Sequence, residues 1–131
     1  MRRPVLRAWA KAAIALTVAA ILLLTLTPAG TSEHGCALGL PCALGHLGSF
    51  AVLGASLGVW FATSDAARRS PRRVLFAIVF AVWLFAALDE MAQRYVGRDP
   101  SAEDWAVDMV GLVIGLLGSG PALRLLFSHS R

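Results

Sequence analysis

Charge is scarce in this chain: Asp, Glu, Lys and Arg make up 15% of its 131 residues, against 57% hydrophobic ones. An average soluble domain has about 25% charged residues, so the shortfall removes an ordinary water-facing surface. Amide-rich, acidic and Pro/Ser-rich tracts are missing too, which argues against a disordered segment, and no stretch reads as a separate soluble domain. No phosphate-cradling glycine loop, serine nucleophile elbow or His-Glu-x-x-His helix occurs. A hydrolase of a familiar soluble type is therefore not expected, and neither a metal nor another cofactor is. The net charge of +4 could suggest nucleic acid, but a basic groove with interleaved aromatics is lacking. The arginines sit instead in short clusters between apolar runs, and no nucleic-acid partner is expected.

What the chain has is long apolar blocks, and about 20 mostly apolar residues suffice to cross the hydrocarbon core of a bilayer. Four such runs are present, at about 8–27, 44–63, 74–94 and 105–127. The first stops at Pro28-Ala29-Gly30, a helix-breaking cluster. It has a competing reading as a cleaved signal peptide, because Arg2 and Arg3 precede it and small residues follow. The run is long for that purpose and no clean small-x-small site follows. The expectation is one all-α domain over residues 1–131, an integral membrane bundle of four transmembrane helices.

Its orientation follows from the basic residues, which concentrate on the cytoplasmic side of membrane proteins. Arg2, Arg3, Arg7, Lys11, Arg68, Arg69, Arg72, Arg73, Arg124 and Arg131 share one side if there are four spans. Only Arg94 and Arg98 lie opposite, so both termini are expected in the cytoplasm. The acidic residues do the reverse: Glu33, Asp89, Glu90, Asp99, Glu103, Asp104 and Asp108 fall outside, and Asp65 alone inside. Gly54-x-x-x-Gly58 and Gly111-x-x-x-Gly115 each place two glycines on one helical face, which permits close helix approach. They support a compact bundle and leave an oligomer open.

The stretch from Asp89 to Asp108 carries most of the polar chemistry. Solvated helix ends and a short loop suffice for Arg94, Asp99 and Glu103. They do not suffice for Asp89 and Asp108, which fall at or below the interface, where ionisable side chains cost a few kcal/mol and normally face protein or a wet cavity. Helical spacing puts Asp89 and Gln93 on one face and Glu90 beside Arg94 on the next. Asp104 and Asp108 lie one turn apart on the following helix. Asp89 and Asp108 are thus expected to meet at one depth. His46, opening the second span in Gly45-His46-Leu47-Gly48, belongs beside them by topology, whereas His34 is a solvated loop residue.

The ordered set Asp89-Glu90-x-x-Gln93, Arg98, Asp104, Asp108, Gly111 and Gly115, preceded by His46, resembles the VanZ-like family of small bacterial membrane proteins. The resemblance covers essentially the whole chain. It implies a multi-pass protein of the bacterial plasma membrane and cell envelope, with a namesake linked to reduced sensitivity to the glycopeptide teicoplanin. Carried over by position, the family's histidine is His46, its acid-acid-glutamine group Asp89, Glu90 and Gln93, its arginine Arg98, and the acid heading its last span Asp104. Asp108 departs from the pattern, where asparagine is expected, and the aromatic after the histidine is met only loosely by Phe50. The family name supplies no reaction mechanism.

Cys36 and Cys42 lie in the predicted outer loop, where an oxidising compartment permits a disulfide. Free thiols fit the spacing equally, and a metal site would have only His34 and His46 to draw on. Beside the bilayer itself, the partners expected are a lipid-linked cell-wall precursor or a phospholipid headgroup. Arg98 would grip the anion and Gln93 would orient it. His46, Asp89, Glu90, Asp104 and Asp108 would serve as acid and base, with catalysis left open. A second reading makes the protein a non-catalytic accessory or scaffold whose polar cluster is a structural clasp. A third, transport, is disfavoured because the acids gather at one membrane face.

Overall fold

The computed structural model describes residues 3–27 and 42–120. Cys36 and the side chain of Cys42 lie outside the described residues, so nothing bears on their pairing. The described chain is all-helical, in the order α1 Arg3–Thr25, α2 Cys42–Thr63, α3 Asp65–Arg69, α4 Pro71–Gln93 and α5 Ala102–Gly118, with a 3₁₀ turn Arg94–Val96 after α4. Local sequence sets the boundaries. Pro71 occupies the first turn of α4, where its missing N–H has no helical partner to lose. Gly97 takes a left-handed φ of 76° at the end of the 3₁₀ turn. Ser101 caps α5 by accepting the Asp104 N–H at 3.2 Å.

Three helices are long and apolar enough to cross a membrane: Arg3–Thr25, Ala43–Thr63 and Pro71–Val96. Only 17%, 33% and 28% of their apolar windows are buried. Most of this apolar surface therefore faces outward, as a multi-pass membrane protein requires and a water-soluble domain of this size would not tolerate. Of the fourth expected run, 105–127, residues 121–127 lie outside the described residues. Helix α5 starts earlier, at Ala102, and closes at Gly118, where the Ser119 N–H bonds back to Gly115 and Gly120 turns left-handed at φ 51°. Its 17 residues span about 25 Å, somewhat under the hydrocarbon thickness of about 30 Å. The expected arginine-rich link between the second and third runs contains the short helix α3.

Contacts between helix ends give the relative directions. Arg7, near the start of α1, reaches the Thr63 carbonyl and Asp65 past the end of α2, so α1 and α2 run antiparallel. Thr25, ending α1, meets Asp89 near the end of α4, so those two run parallel. Helices α2 and α5 also run parallel and share the most extensive interface. The glycine motifs explain it: a Cβ added at Gly54 or Gly58 would overlap Leu112 or Ser119, and one at Gly111 or Gly115 would overlap the backbone at Leu47 or Ala51. Ile21, Phe50, Leu53, Val82, Ala86, Leu112 and Leu116 form the core between α1, α2, α4 and α5.

Candidate functional site

The close seam between α2 and α5 carries two polar residues at its open end. His46 lies in the second turn of α2 and Asp108 in the second turn of α5, with His46 Nδ1 2.9 Å from Asp108 Oδ1. If the carboxylate is ionised it only accepts, and Nδ1 is then the donor of the pair. Asp108 is fully buried at 0% exposure and His46 nearly so at 6%. Phe50, one turn further along α2, is buried and packs on Phe85 with ring centres 6.1 Å apart. It closes the apolar side of the cluster.

Helix α4 brings the second carboxylate. Glu90 Oε1 stands 3.9 Å from His46 Nδ1 and accepts from Gln93 Nε2 at 2.9 Å, while Oε2 accepts the Ser101 N–H at 2.9 Å. Two expectations change here. Glu90 does not pair with Arg94, which is exposed, because the carboxylate turns inward toward His46 and Ser101. Gln93 donates to Glu90 rather than acting alongside Asp89. Asp104, in the first turn of α5, completes the group: His46, Glu90 and Asp104 each offer one ligand atom within 4.8 Å of the others.

Asp89 takes a different direction from the one expected. It does not pair with Asp108; instead its Oδ1 accepts from the Thr25 hydroxyl at 2.8 Å, which ties α4 to α1. The physical reason is helical phase: Asp89 and Glu90 are neighbours on α4 and point about 100° apart, so one faces α1 and the other faces α2 and α5. Arg98 sits on the α1 side as well, with Nη1 3.2 Å from the Leu24 and Thr25 carbonyls. That is a favourable place for a cation, at the negative end of a helix. Asp99 and Glu103 are exposed, as solvated loop and helix-end residues should be.

Two oxygens in this cluster have no hydrogen-bond partner among the described residues: Asp89 Oδ2 and Asp108 Oδ2, both buried. A buried acceptor left without a donor costs about 1–3 kcal/mol, more when charged. The His46–Asp108 pair resembles an imidazole held by an orienting carboxylate, the arrangement that lets histidine move a proton. Thr25 and Ser101 were not singled out from sequence. Thr25 lies at the same depth as Asp89, and Ser101 immediately precedes the acidic first turn of α5, a cap signature.

Compared with protein-family models, curated proteins and solved structures, the chain gives no match.

Proposed function

We propose that this chain is a VanZ-like protein of the bacterial plasma membrane. In this reading its polar cluster faces outward and binds the headgroup of a lipid-linked or phosphorylated envelope component. The observation that carries the reading is the pair of buried oxygens on Asp89 and Asp108 that have no partner among the described residues. A clasp that only holds helices together would satisfy its own groups, whereas a binding site leaves acceptors for a ligand's hydroxyl or ammonium donors. Arg98 stands on the α1 side of the cluster, where a headgroup phosphate would be met by a planar cation. His46, held by Asp108, is the group best placed for proton transfer.

The reading takes α5 as the fourth crossing and both termini as cytoplasmic. The parallel pairs α1 with α4 and α2 with α5 support alternating directions. So does the arginine distribution, with Arg7, Arg68, Arg69, Arg72 and Arg73 at the end away from His46. Transport through one chain is not favoured. The buried ionisable side chains among the described residues are His46, Asp89, Glu90 and Asp108, all at one end.

The clasp reading keeps some support from the internal bonds Thr25–Asp89, Gln93–Glu90 and Ser101–Glu90. Binding of undecaprenyl-phosphate-linked lipids to the protein in nanodiscs separates the two. The headgroup reading expects saturable binding that Asp89→Asn weakens while folded yield stays normal, since the amide oxygen still accepts from Thr25. Equal binding by wild type and variant, or a variant that simply fails to accumulate folded, supports the clasp. Teicoplanin susceptibility of a Gram-positive host expressing the chain is the matching cellular readout, with wild type protecting and an equally abundant Asp89→Asn variant not.

A further inference from the structure

Four carboxylates and one imidazole gather at this end of the described bundle. Glu90, Asp104 and Asp108 converge on a single imidazole, and Asp89 stands one residue from Glu90. Arg98 directs Nη1 at the carbonyls ending α1 and acts electrostatically on Asp89. Buried carboxylates gathered this closely need either protons or a cation.

The geometry favours a cation. A metal with bonds of about 2.0–2.2 Å to nitrogen and oxygen holds its ligands no more than about 4.4 Å apart. Three ligands sharing such an ion sit about 3.3–3.8 Å apart. Those of His46, Glu90 and Asp104 already lie within 4.8 Å of one another, so closing the shell takes side-chain shifts of up to about 1 Å. Each ligand stands on a different helix, α2, α4 or α5, and each of the three is supported. Asp108 orients the His46 ring at 2.9 Å, Gln93 and the Ser101 N–H fix the Glu90 carboxylate, and Ser101 caps the turn that carries Asp104. Supporting bonds behind the ligands are the usual build of a metal centre. Each Glu90 oxygen accepts one hydrogen bond and keeps a further lone pair for coordination. Asp104 is half-buried, which leaves a route from the aqueous side.

We infer that His46, Glu90 and Asp104 bind one divalent transition-metal ion of the Mn²⁺ or Zn²⁺ class at the outer end of the bundle, with Asp108 as the positioning residue for the imidazole. One nitrogen with carboxylate oxygens suits these borderline ions better than Mg²⁺ or Ca²⁺, which favour all-oxygen shells. The inference rests on the reading of this cluster as a ligand site. It deepens that reading: a metal at this position would itself receive a headgroup's phosphate oxygen. No metal motif is visible in the sequence because the three ligands are 44 and 14 residues apart along the chain and converge only through the α2–α5 seam.

The test uses chelator-stripped full-length protein in phosphatidylcholine nanodiscs, whose zwitterionic lipid competes weakly for cations. Mn²⁺ is titrated in and free ion followed by electron paramagnetic resonance, and pulsed spectra are searched for ¹⁴N coupling. The inference expects one Mn²⁺ per chain, imidazole nitrogen coupling, displacement by Zn²⁺ and resistance to excess Mg²⁺. Asp104→Asn, a half-buried change that the fold should accept, should weaken binding at least tenfold, and Asp108→Asn about tenfold or more. No binding, binding without nitrogen coupling, or binding untouched by Asp104→Asn overturns it. The nitrogen coupling is read on wild type and does not depend on any variant folding. Headgroup binding scored in the same discs keeps the two readings apart. Headgroup bound by stripped protein that never takes up Mn²⁺ sinks the metal alone. Mn²⁺ bound with nitrogen coupling, and no headgroup, supports the metal and sinks the headgroup reading.

Discussion

The two ends of the bundle use the same kinds of side chain in opposite ways. At one end Arg7 meets Asp65 at 2.9 Å with side chains 31% and 67% exposed, and Arg69, Arg72 and Arg73 stand exposed nearby. At the other, His46, Asp89, Glu90, Gln93 and Asp108 are all buried, and two carboxylate oxygens have no donor among the described residues. Charge at the first end is mostly solvated, although Arg7 Nε and Arg68 Nε are buried there without a partner among the described residues. A part-exposed pair such as Arg7–Asp65 contributes under about 1 kcal/mol. The basic excess of this end is the pattern on which the proposed orientation rests. Charge at the second end is desolvated and only partly satisfied, a costly arrangement that a purely structural role does not require.

The largest expected effect comes from the seam that joins the ends. Gly115→Leu forces a side chain into the Ala51 backbone and should destabilise the protein by about 3 kcal/mol or more, read as a lower unfolding midpoint in detergent and a loss of headgroup binding. A neutral outcome would mean that α2 and α5 do not approach as described. Next comes His46→Ala, which should cost headgroup binding about 2 kcal/mol, roughly thirtyfold. It should also lower that midpoint, by about 1–3 kcal/mol of stability, because it strips buried Asp108 of its donor. Ser101→Ala removes the cap of α5 and should cost about 1 kcal/mol of stability, while Glu90 keeps its bond because the donor is a backbone N–H. Smallest is Arg7→Ala, expected to shift stability by less than about 1 kcal/mol and leave headgroup binding unchanged. A larger effect of Arg7→Ala than of His46→Ala on headgroup binding would reverse the comparison.

Much of this was readable from residues alone, and the reasons for the misses are specific. The helices α1, α2 and α4 follow from apolar length, and the glycine pairs from the small-residue rule. His46 and Asp108 follow from depth, since two ionisable residues one or two turns inside adjacent spans have few other places to go. Pairing did not follow. Matching depth suggested that Asp89 would meet Asp108, but depth says nothing of rotation about the helix axis, and a step of one residue on α4 decides whether a carboxylate faces α1 or α5. Thr25 was overlooked because a threonine in an apolar run usually bonds its own helix, as it also does here to the Ile21 carbonyl. Gly118-Ser119-Gly120 closes α5 within the described residues, a stop that apolar composition alone does not reveal.

The central claim is that the outer cluster is a site and not a clasp, and stability tests it most directly. Asp89→Asn and Asp108→Asn each replace a partly unsatisfied buried carboxylate with a neutral amide of the same shape. If the cluster is kept for a ligand, the unfolding midpoint in detergent should hold steady or rise in both variants, while headgroup binding falls. Both midpoints dropping sharply, by the several kcal/mol that breaking a buried charged network costs, would contradict it and make the cluster the lock that holds α1 and α4 to α2 and α5.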